Sequence, residues 1–306
     1  MAITAATQLS DFDGFLTPEQ SAPIFERAQR QSVVQQLARQ VPLGPTGTDI
    51  PVVTGKLQAA WVAEGAQKPT SNGALDLKNI SPKKIAVIAV VSEETVRSNP
   101  GNYMQVLRNQ IGEAFAIAFD SAALHGISTP FSTYVDQTTK AVGLGTAAGT
   151  AGGVFADLNA GLSLLVADSK RLNGFAFDDR MEPTLNSAVD STGRPLFIDS
   201  PLQDNAPAAR GGRVLGRSAF MGEGVGVATP GTTATTYPVG YGGDWTQAAW
   251  GVVGGIRYSV STETSVTIGG TLTSLWEHNL VAIRAEAEYG WLVNDVEAFV
   301  RYTDVA

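Results

Sequence analysis

Cysteine is absent from all 306 residues. That excludes disulfide staples, thiol catalysis and cysteine-ligated metal. Histidine occurs twice, at His125 and His278. His125 falls at the end of a helical pattern, and His278-Asn279-Leu280 has no zinc-helix spacing, so both read as structural residues. Charged residues make up 16% of the chain, and 21 basic against 29 acidic residues leave a net charge of −8. Such a chain is poorly suited to neutralising phosphates, which argues against sequence-independent binding of DNA or RNA. The longest purely apolar run, Ile85 to Val91, is far too short to cross a bilayer. Met1 to Ala6 lacks the basic and apolar regions of a signal peptide. The expectation is a soluble protein made in a cytoplasm, with no membrane partner.

Reactive motifs are missing as well. There is no Gly-x-Ser-x-Gly elbow and no phosphate loop ending in Gly-Lys-Ser or Gly-Lys-Thr. Gly222-Glu223-Gly224-Val225-Gly226 and Gly143-Leu144-Gly145 lack the strand–turn–helix setting of a dinucleotide fingerprint. Asp178, Asp179 and Glu182 read as a solvated acidic edge. No catalytic, cofactor-binding or metal residues are assigned, and no cofactor is expected. A chain without a convergent reactive set points to assembly rather than to enzyme chemistry.

What is present is an α+β pattern without internal repeats. A strand over 83–91 is followed by a long helix. Ser98-Asn99-Pro100 supplies its cap and first-turn proline. Leu107, Ile111, Phe115, Ala118 and Ala122 recur at helical steps, and Gly126 stops the helix by turning left-handed. About 25 residues at 1.5 Å each give a rod of roughly 38 Å, a spine on which other parts can hang.

Upstream of the spine, residues 1–16 read as an extended arm. Thr17-Pro18-Glu19-Gln20 resembles a capping box, opening a helix that could reach about Gln40. Its apolar side would carry Ile24, Ala28 and Val33-Val34, and its wet side Arg27, Arg30 and Arg39. Residues 50–63 and 75–80 read as two strands of a long hairpin, with Asn72-Gly73 as a tight-turn pair. That hairpin has no core of its own, and a lone two-stranded ribbon is marginal in water. It must lie on its own body or on a neighbouring chain.

Downstream, 127–153 reads as loop, 155–172 as an amphipathic helix, 175–177 as a strand and 183–189 as a short helix. Segments at 196–198 and 213–216 read as strands, and 229–243 as a loop. Residues 245–253 and 256–268 read as strands, 275–287 as a helix and 298–302 as a closing strand.

The order of these features resembles the major capsid proteins of tailed bacteriophages. Trp61-Val62-Ala63-Glu64-Gly65 looks like that family's W-x-x-E-G element. Lys83-Lys84-Ile85-Ala86 and Val91-Ser92-Glu93-Glu94-Thr95 follow as they do there. Phe119 to Gly126 resembles the family's D-x-A-x-l-x-G. Gly193-Arg194-Pro195-Leu196, Val214-Leu215-Gly216, Gly242-Gly243-Asp244-Trp245 and the segment from Ala282 to Tyr302 complete the series. Each motif is weak alone, but the ordered set covers roughly residues 45–303.

The resemblance implies the Hong Kong 97-type α+β capsid fold. Its parts would be an N-terminal arm with a short helix (1–45), an extended loop (46–82), a peripheral domain built on the spine helix (83–126 and 257–306) and an axial domain (127–256). It implies homo-oligomers, pentamers and hexamers closing into an icosahedral shell around double-stranded DNA that is enclosed without specific binding. The subunit would be assembled in a bacterial host cytoplasm and end in the virion. No long N-terminal coiled segment of the built-in scaffold kind is present, which implies a separate scaffolding protein; portal and decoration proteins are further partners of such shells.

Candidate intersubunit contacts are Trp61, Glu64 and Lys68 on the hairpin and Arg27 and Arg30 on the arm. Trp61 can equally pack within its own chain. Lys56, Lys68 and Lys78 also lie on the hairpin, but nothing in the sequence gives any of them a cross-linking partner. Two alternatives stay open: an encapsulin-type compartment holding cargo enzymes, and a soluble α+β enzyme.

Overall fold

The computed structural model describes residues 32–53, 59–65, 67–68, 70, 74–99, 103–148, 152–188, 198–199, 210–226 and 236–305. It begins with α1 (Val33–Leu37), capped by Ser32, whose Oγ accepts the Gln35 amide. The helix expected to reach about Gln40 ends three residues earlier. Ala38 turns extended, and β1 (Arg39–Gln40) pairs in parallel with a strand near residue 250. The earlier part of that helix, with Arg27 and Arg30, lies outside the described residues.

A ribbon follows, formed by β2 (Thr48–Val53) and β3 (Leu75–Ile80) running antiparallel. Strand pairing stops at Val53, so the reading of 50–63 as one strand was too long: residues 59–63 carry no strand pairing. Asn72-Gly73 lies outside the described residues.

The spine unit is built from β4 (Lys83–Ser92), α2 (Glu93–Ser98) and α3 (Tyr103–Leu124). Ser92 caps α2 by accepting the Thr95 amide, and Glu93 and Glu94 occupy its first turn, where negative charge suits the helix dipole. Asn99 Oδ1 accepts the Met104 amide at 3.1 Å at the start of α3. Leu107, Ile111, Phe115, Phe119 and Ala122 are buried along one face. Ala118, expected on that face, is exposed, and the bulkier Phe119 takes its place. Gly126 has φ +72°, with the Tyr134 ring where a Cβ would stand.

The remaining elements are β5 (Ala141–Leu144), α4 (Gly153–Ala167), β6 (Gly174–Phe177), α5 (Glu182–Ser187), β7 (Ile198–Asp199), β8 (Arg210–Val214), β9 (Arg217–Met221), β10 (Thr236–Gly243), β11 (Ala248–Val252), β12 (Arg257–Ser261), β13 (Ser265–Ile268), β14 (Thr271–Ser274), β15 (Leu280–Val293) and β16 (Phe299–Val305). Leu215 and Gly216, both at positive φ, form the two-residue turn between β8 and β9, the geometry that matches strand twist.

Two larger sheets organise the body. In the first, β15 carries β4 along one edge and β11 and β12 along the other, with β1 outside β11. In the second the order is β5-β16-β10-β6-β9-β8-β7. Residues 248–252 therefore belong to the first sheet and 299–305 to the second. One cluster joins the two sheets: Val33 and Val34 of α1, Phe119 and Ala123 of α3, Tyr241 of β10, Trp250 of β11, Trp291 of β15, Phe299 of β16, and Trp245 between β10 and β11. Trp245 Nε1 donates to the Gly174 carbonyl at 3.1 Å.

Several local readings are overturned. Residues 141–144, inside the stretch expected to be loop, form β5, and 215–216, expected to end a strand, are the turn between β8 and β9. Residues 275–287 were expected to be helical, but 280–293 form β15, the hub of the first sheet. Its face with Val281, Ile283 and Ala285 lies against α3, and its face with Leu280 and Ala282 lies against Val90 and Leu275. Burial on both faces removes the alternation that marks a half-exposed strand. Residues 229–243 were expected to be a loop, yet 236–243 form β10, in the middle of the second sheet. Its glycines are there because rings lie on the backbone. A Cβ at Gly240 would come 2.5 Å from a Phe177 ring carbon, and one at Gly243 2.5 Å from a Phe299 ring carbon.

The glycines of 222–226 have a similar cause. A Cβ at Gly222 would meet Val33, at Gly224 it would meet Asp120 and Ile117, and at Gly226 it would meet Asp178. This stretch is a seam packed onto α1 and α3. Asp178 is not part of a solvated edge: it is buried and takes two hydrogen bonds from the Arg180 guanidinium, both at 2.9 Å. Replacing Gly224 by Ala would put a methyl 2.8 Å from Asp120 Cβ and 3.0 Å from the Ile117 carbonyl oxygen. Gly224→Ala is expected to lower unfolding stability by about 1–3 kcal/mol. Urea titration of the unassembled chain checks this, and an unchanged midpoint would contradict the packing described.

Candidate assembly interface

Period-two alternation gives the β2–β3 ribbon two faces. Thr48, Ile50 and Val52 share one face with Ile80, Lys78 and Asp76, while Pro51 and Val53 share the other with Leu77 and Leu75. The first face attaches the ribbon to the body. Ile80 is fully buried with Leu43 and Val253, Ile50 and Leu292 pack beside them, and Lys78 Nζ donates to the Asn294 carbonyl at 2.7 Å. The second face is bare: Val53 is 68% exposed, Leu75 73% and Leu77 67%. At the root of this bare face Asn79 Nδ2 donates to Asp49 Oδ1 at 2.7 Å.

Beyond the strands, Trp61 is fully solvent-exposed and Val62 partly so. Glu64 and Lys68 are exposed too, and no ion pair joins either to the body among the described residues. Of the two readings for Trp61, packing within its own chain finds no contact among the described residues. Arg27 and Arg30 lie outside the described residues.

Other exposed apolar side chains went unread in the sequence: Tyr258 and Val260 on β12, and separately Leu272 on β14 and Trp276 just after it. The alternation in 256–268 marked strands but could not show that β12 lies at a sheet edge. A groove of about 560 Å³ also opens beside the spine, lined by Ile85, Ala122, Ile127, Pro130 and Phe131, with Lys83 and Lys84 at its rim.

Several polar groups of the interior are tied to one another. The Tyr241 hydroxyl lies 2.7 Å from His125 Nδ1 and 3.0 Å from Asp136 Oδ1, and Arg301 Nη1 donates to the same carboxylate at 3.2 Å. His125, read from the sequence as a structural residue at the end of the helix, turns inward. Burial lowers its proton affinity, opposed by the Asp136 carboxylate, and burial pushes the Tyr241 hydroxyl well above its ordinary value. Both side chains are buried, and this set fastens the end of α3 to β10 and β16. His278 is at the surface, its Nδ1 2.9 Å from the Ser274 carbonyl oxygen. Lys140 Nζ joins Asp168 and Glu297, each at 3.0 Å. Among the described residues no cluster of three or more potential metal ligands occurs, and no helix is long and apolar enough to cross a membrane.

Known proteins share this arrangement. The family model described as "Phage capsid family" matches residues 13–304. This chain belongs to the phage capsid family. A relative within reach of that family is the probable major capsid protein gp17 of Mycobacterium phage D29, 43% identical over 298 residues that cover 96% of this chain and 91% of the relative. Among solved structures, one from Gordonia phage Cozz is 26% identical, with a TM-score of 0.69 over 95% of this chain and 92% of that one. The capsid of an empty GTA particle computed with C5 symmetry is 17% identical and shares the fold, with a TM-score of 0.66 over 97% of this chain and 98% of that one. The α+β fold is thus that of the phage capsid family, as the ordered motifs implied.

The two parts of the ribbon should differ in what they contribute to folding. Ile80→Ala empties its buried root and is expected to cost about 2–5 kcal/mol. Trp61→Ala removes a side chain bathed in water and should change stability by no more than about 0.5 kcal/mol. Denaturant unfolding of the unassembled chain measures both, and a large loss for Trp61→Ala would place that ring against its own body.

Proposed function

We infer that this chain is the major capsid protein of a tailed bacteriophage and that its work is done in the virion, as one repeated tile of the head. Membership of the phage capsid family and the likeness to the D29 protein over nearly the whole chain support this. The observation that carries the mechanism is the bare apolar face of Pro51, Val53, Leu75 and Leu77 on a ribbon whose other face is anchored. An exposed contiguous apolar surface of that kind marks a site of association.

In this reading the ribbon reaches a neighbouring copy, and Trp61 is an aromatic anchor of the sort that dominates interface energetics. Glu64 and Lys68 stand at the rim, where each pair of charges adds about 0–1 kcal/mol but recurs at every subunit. Arg27 and Arg30 of the arm are further contacts in the same proposal. Residues 46–82 act as the extended loop, 83–126 with 257–306 as the peripheral domain and 127–256 as the axial domain. Copies close into pentamers and hexamers of an icosahedral shell, with a separate scaffolding protein guiding closure and with portal and decoration proteins as further partners. The shell confines double-stranded DNA without binding it specifically, in keeping with a net charge of −8. The role is structural and not catalytic.

Electron microscopy of the chain, expressed with and without the phage's own scaffolding protein, tests this. Closed shells are expected, with DNA inside particles from infected cells; a packaged enzyme instead of DNA would favour a compartment, and persistent monomers would overturn the reading. Trp61→Ala and Leu77→Asp should leave the subunit folded but weaken each contact by about 2 kcal/mol, roughly 30-fold. Sedimentation should then show free subunits in place of shells, and unchanged shell yield in both variants would remove the ribbon from the interface.

A further inference from the structure

The groove beside the spine is walled by Ile85 of β4, Ala122 of α3, and Ile127 and Phe131 of the turn after α3. Phe119 and Tyr289 line it too, and its rings already meet. Phe119 stands edge-on to Phe131 with centroids 6.2 Å apart, and its ring lies 5.0 Å from that of Tyr289. Phe119 is buried while Ile127 is 48% exposed, so a closed aromatic floor leads to an open mouth. The walls are held before any partner arrives. Thr129 Oγ1 accepts the Phe131 amide at 3.1 Å, and Asp120 of α3 accepts the Ser32 hydroxyl and the Val33 amide, fixing the helix to α1.

The charge of the groove runs against that of the chain. Lys83 and Lys84 stand at its mouth, and among the described residues no carboxylate lines it, in a chain of net charge −8. Lys84 Nζ comes only within 3.9 Å of Glu286, and Lys83 has no ion pair among the described residues. What fits such a groove is an apolar group, best an aromatic one, with a negative charge close behind it. One stretch of this chain has that form. Trp61 is fully exposed, and Glu64, three residues on, is the sole charge in residues 59–65. Six residues per strand carry the end of the ribbon about 20 Å from its foot, and Trp61 lies beyond that end, bathed in water.

We propose that the groove beside the spine is the socket for Trp61 of a second copy, with Glu64 of that copy set against Lys83 and Lys84; this rests on the chain being a shell tile and names the surface that receives its ribbon. The indole enters a site whose rings already stand edge-on, the arrangement aromatic groups prefer. Its burial at the centre, with the charges left at the rim, is the pattern of an energetically dominant contact. The two lysines also answer a difficulty of the chain as a whole. Copies of one acidic protein repel each other, and a basic mouth opposite Glu64 gives them one orientation in which approach is favoured. The contact is head-to-tail, since each copy gives a ribbon and offers a groove. Contacts of that kind build rings when the rotation between copies closes.

The chain has no cysteine, so a pair of them can report the contact. Ala63, beside Trp61, and Ser128, on the groove, are both exposed. In the full-length chain carrying Ala63→Cys and Ser128→Cys, assembled with the scaffolding protein, a short bismaleimide should join copies into a ladder that ends at pentamers and hexamers on a denaturing gel. Neither single variant should give that ladder. Shells that form without a ladder, or with a link only inside one chain, would overturn the socket and leave the tile standing; an unaltered chain that never assembles would remove both. Should the double-cysteine chain not assemble, charge reversal decides. Glu64→Lys and Lys83→Glu alone are each expected to raise the concentration needed for assembly about tenfold, and together to return it close to that of the unaltered chain. Single variants that assemble like the unaltered chain, or a paired variant without recovery, would also overturn the socket.

Discussion

A two-stranded ribbon has two faces, and this chain has enough body to cover only one of them. Ile80, Ile50 and the Lys78 stem go to the root cluster beside Leu43 and Val253, while Val53, Leu75 and Leu77 are left in water on the opposite face. Strand alternation makes that division unavoidable, since a residue cannot change face without a shift of register. Everything proposed about association follows from this. The anchored face fixes the ribbon's direction, the uncovered face supplies apolar area, and Trp61 beyond the strands adds a large ring with no partner among the described residues.

The body to which the ribbon is fixed is held by tight contacts between layers. α3 crosses the first sheet with Leu107, Ile111 and Phe115, then gives Phe119 and Ala123 to the cluster shared with the second sheet. Tyr241, His125, Asp136 and Arg301 bond the same joint from within. A rigid joint is what a shell subunit requires, because a soft one would spend association energy on ordering itself.

Some of this was legible in the sequence and some was not. The spacing of Leu107, Ile111 and Phe115 announced the spine, and Gly126 its end. The ribbon strands could be read because Leu75, Asp76, Leu77 and Lys78 alternate. β15 was misread as helix because it is covered on both sides, so that 280–283 are all buried and carry no period. β10 was misread as loop because its glycines answer to Phe175, Phe177 and Phe299, which come from other strands. The part played by Asp120 was hidden for a similar reason: its partner Ser32 is 88 positions away. Local pattern reports what a residue does within its own element, whereas these three features are set by neighbours remote in the chain. The motif order succeeded where periodicity failed, since it does not depend on recognising each element correctly.

The glycine seam has a mechanical consequence. At 222, 224 and 226 the backbone stands against Val33, Asp120 and Asp178 with no room for even one more carbon. A joint without clearance cannot yield to bending. If copies meet in unlike surroundings of the proposed shell, the difference in curvature falls instead on the foot of the ribbon, where Ile50, Ile80, the reach of Lys78 and the Thr48 bond to the Pro42 carbonyl tether it.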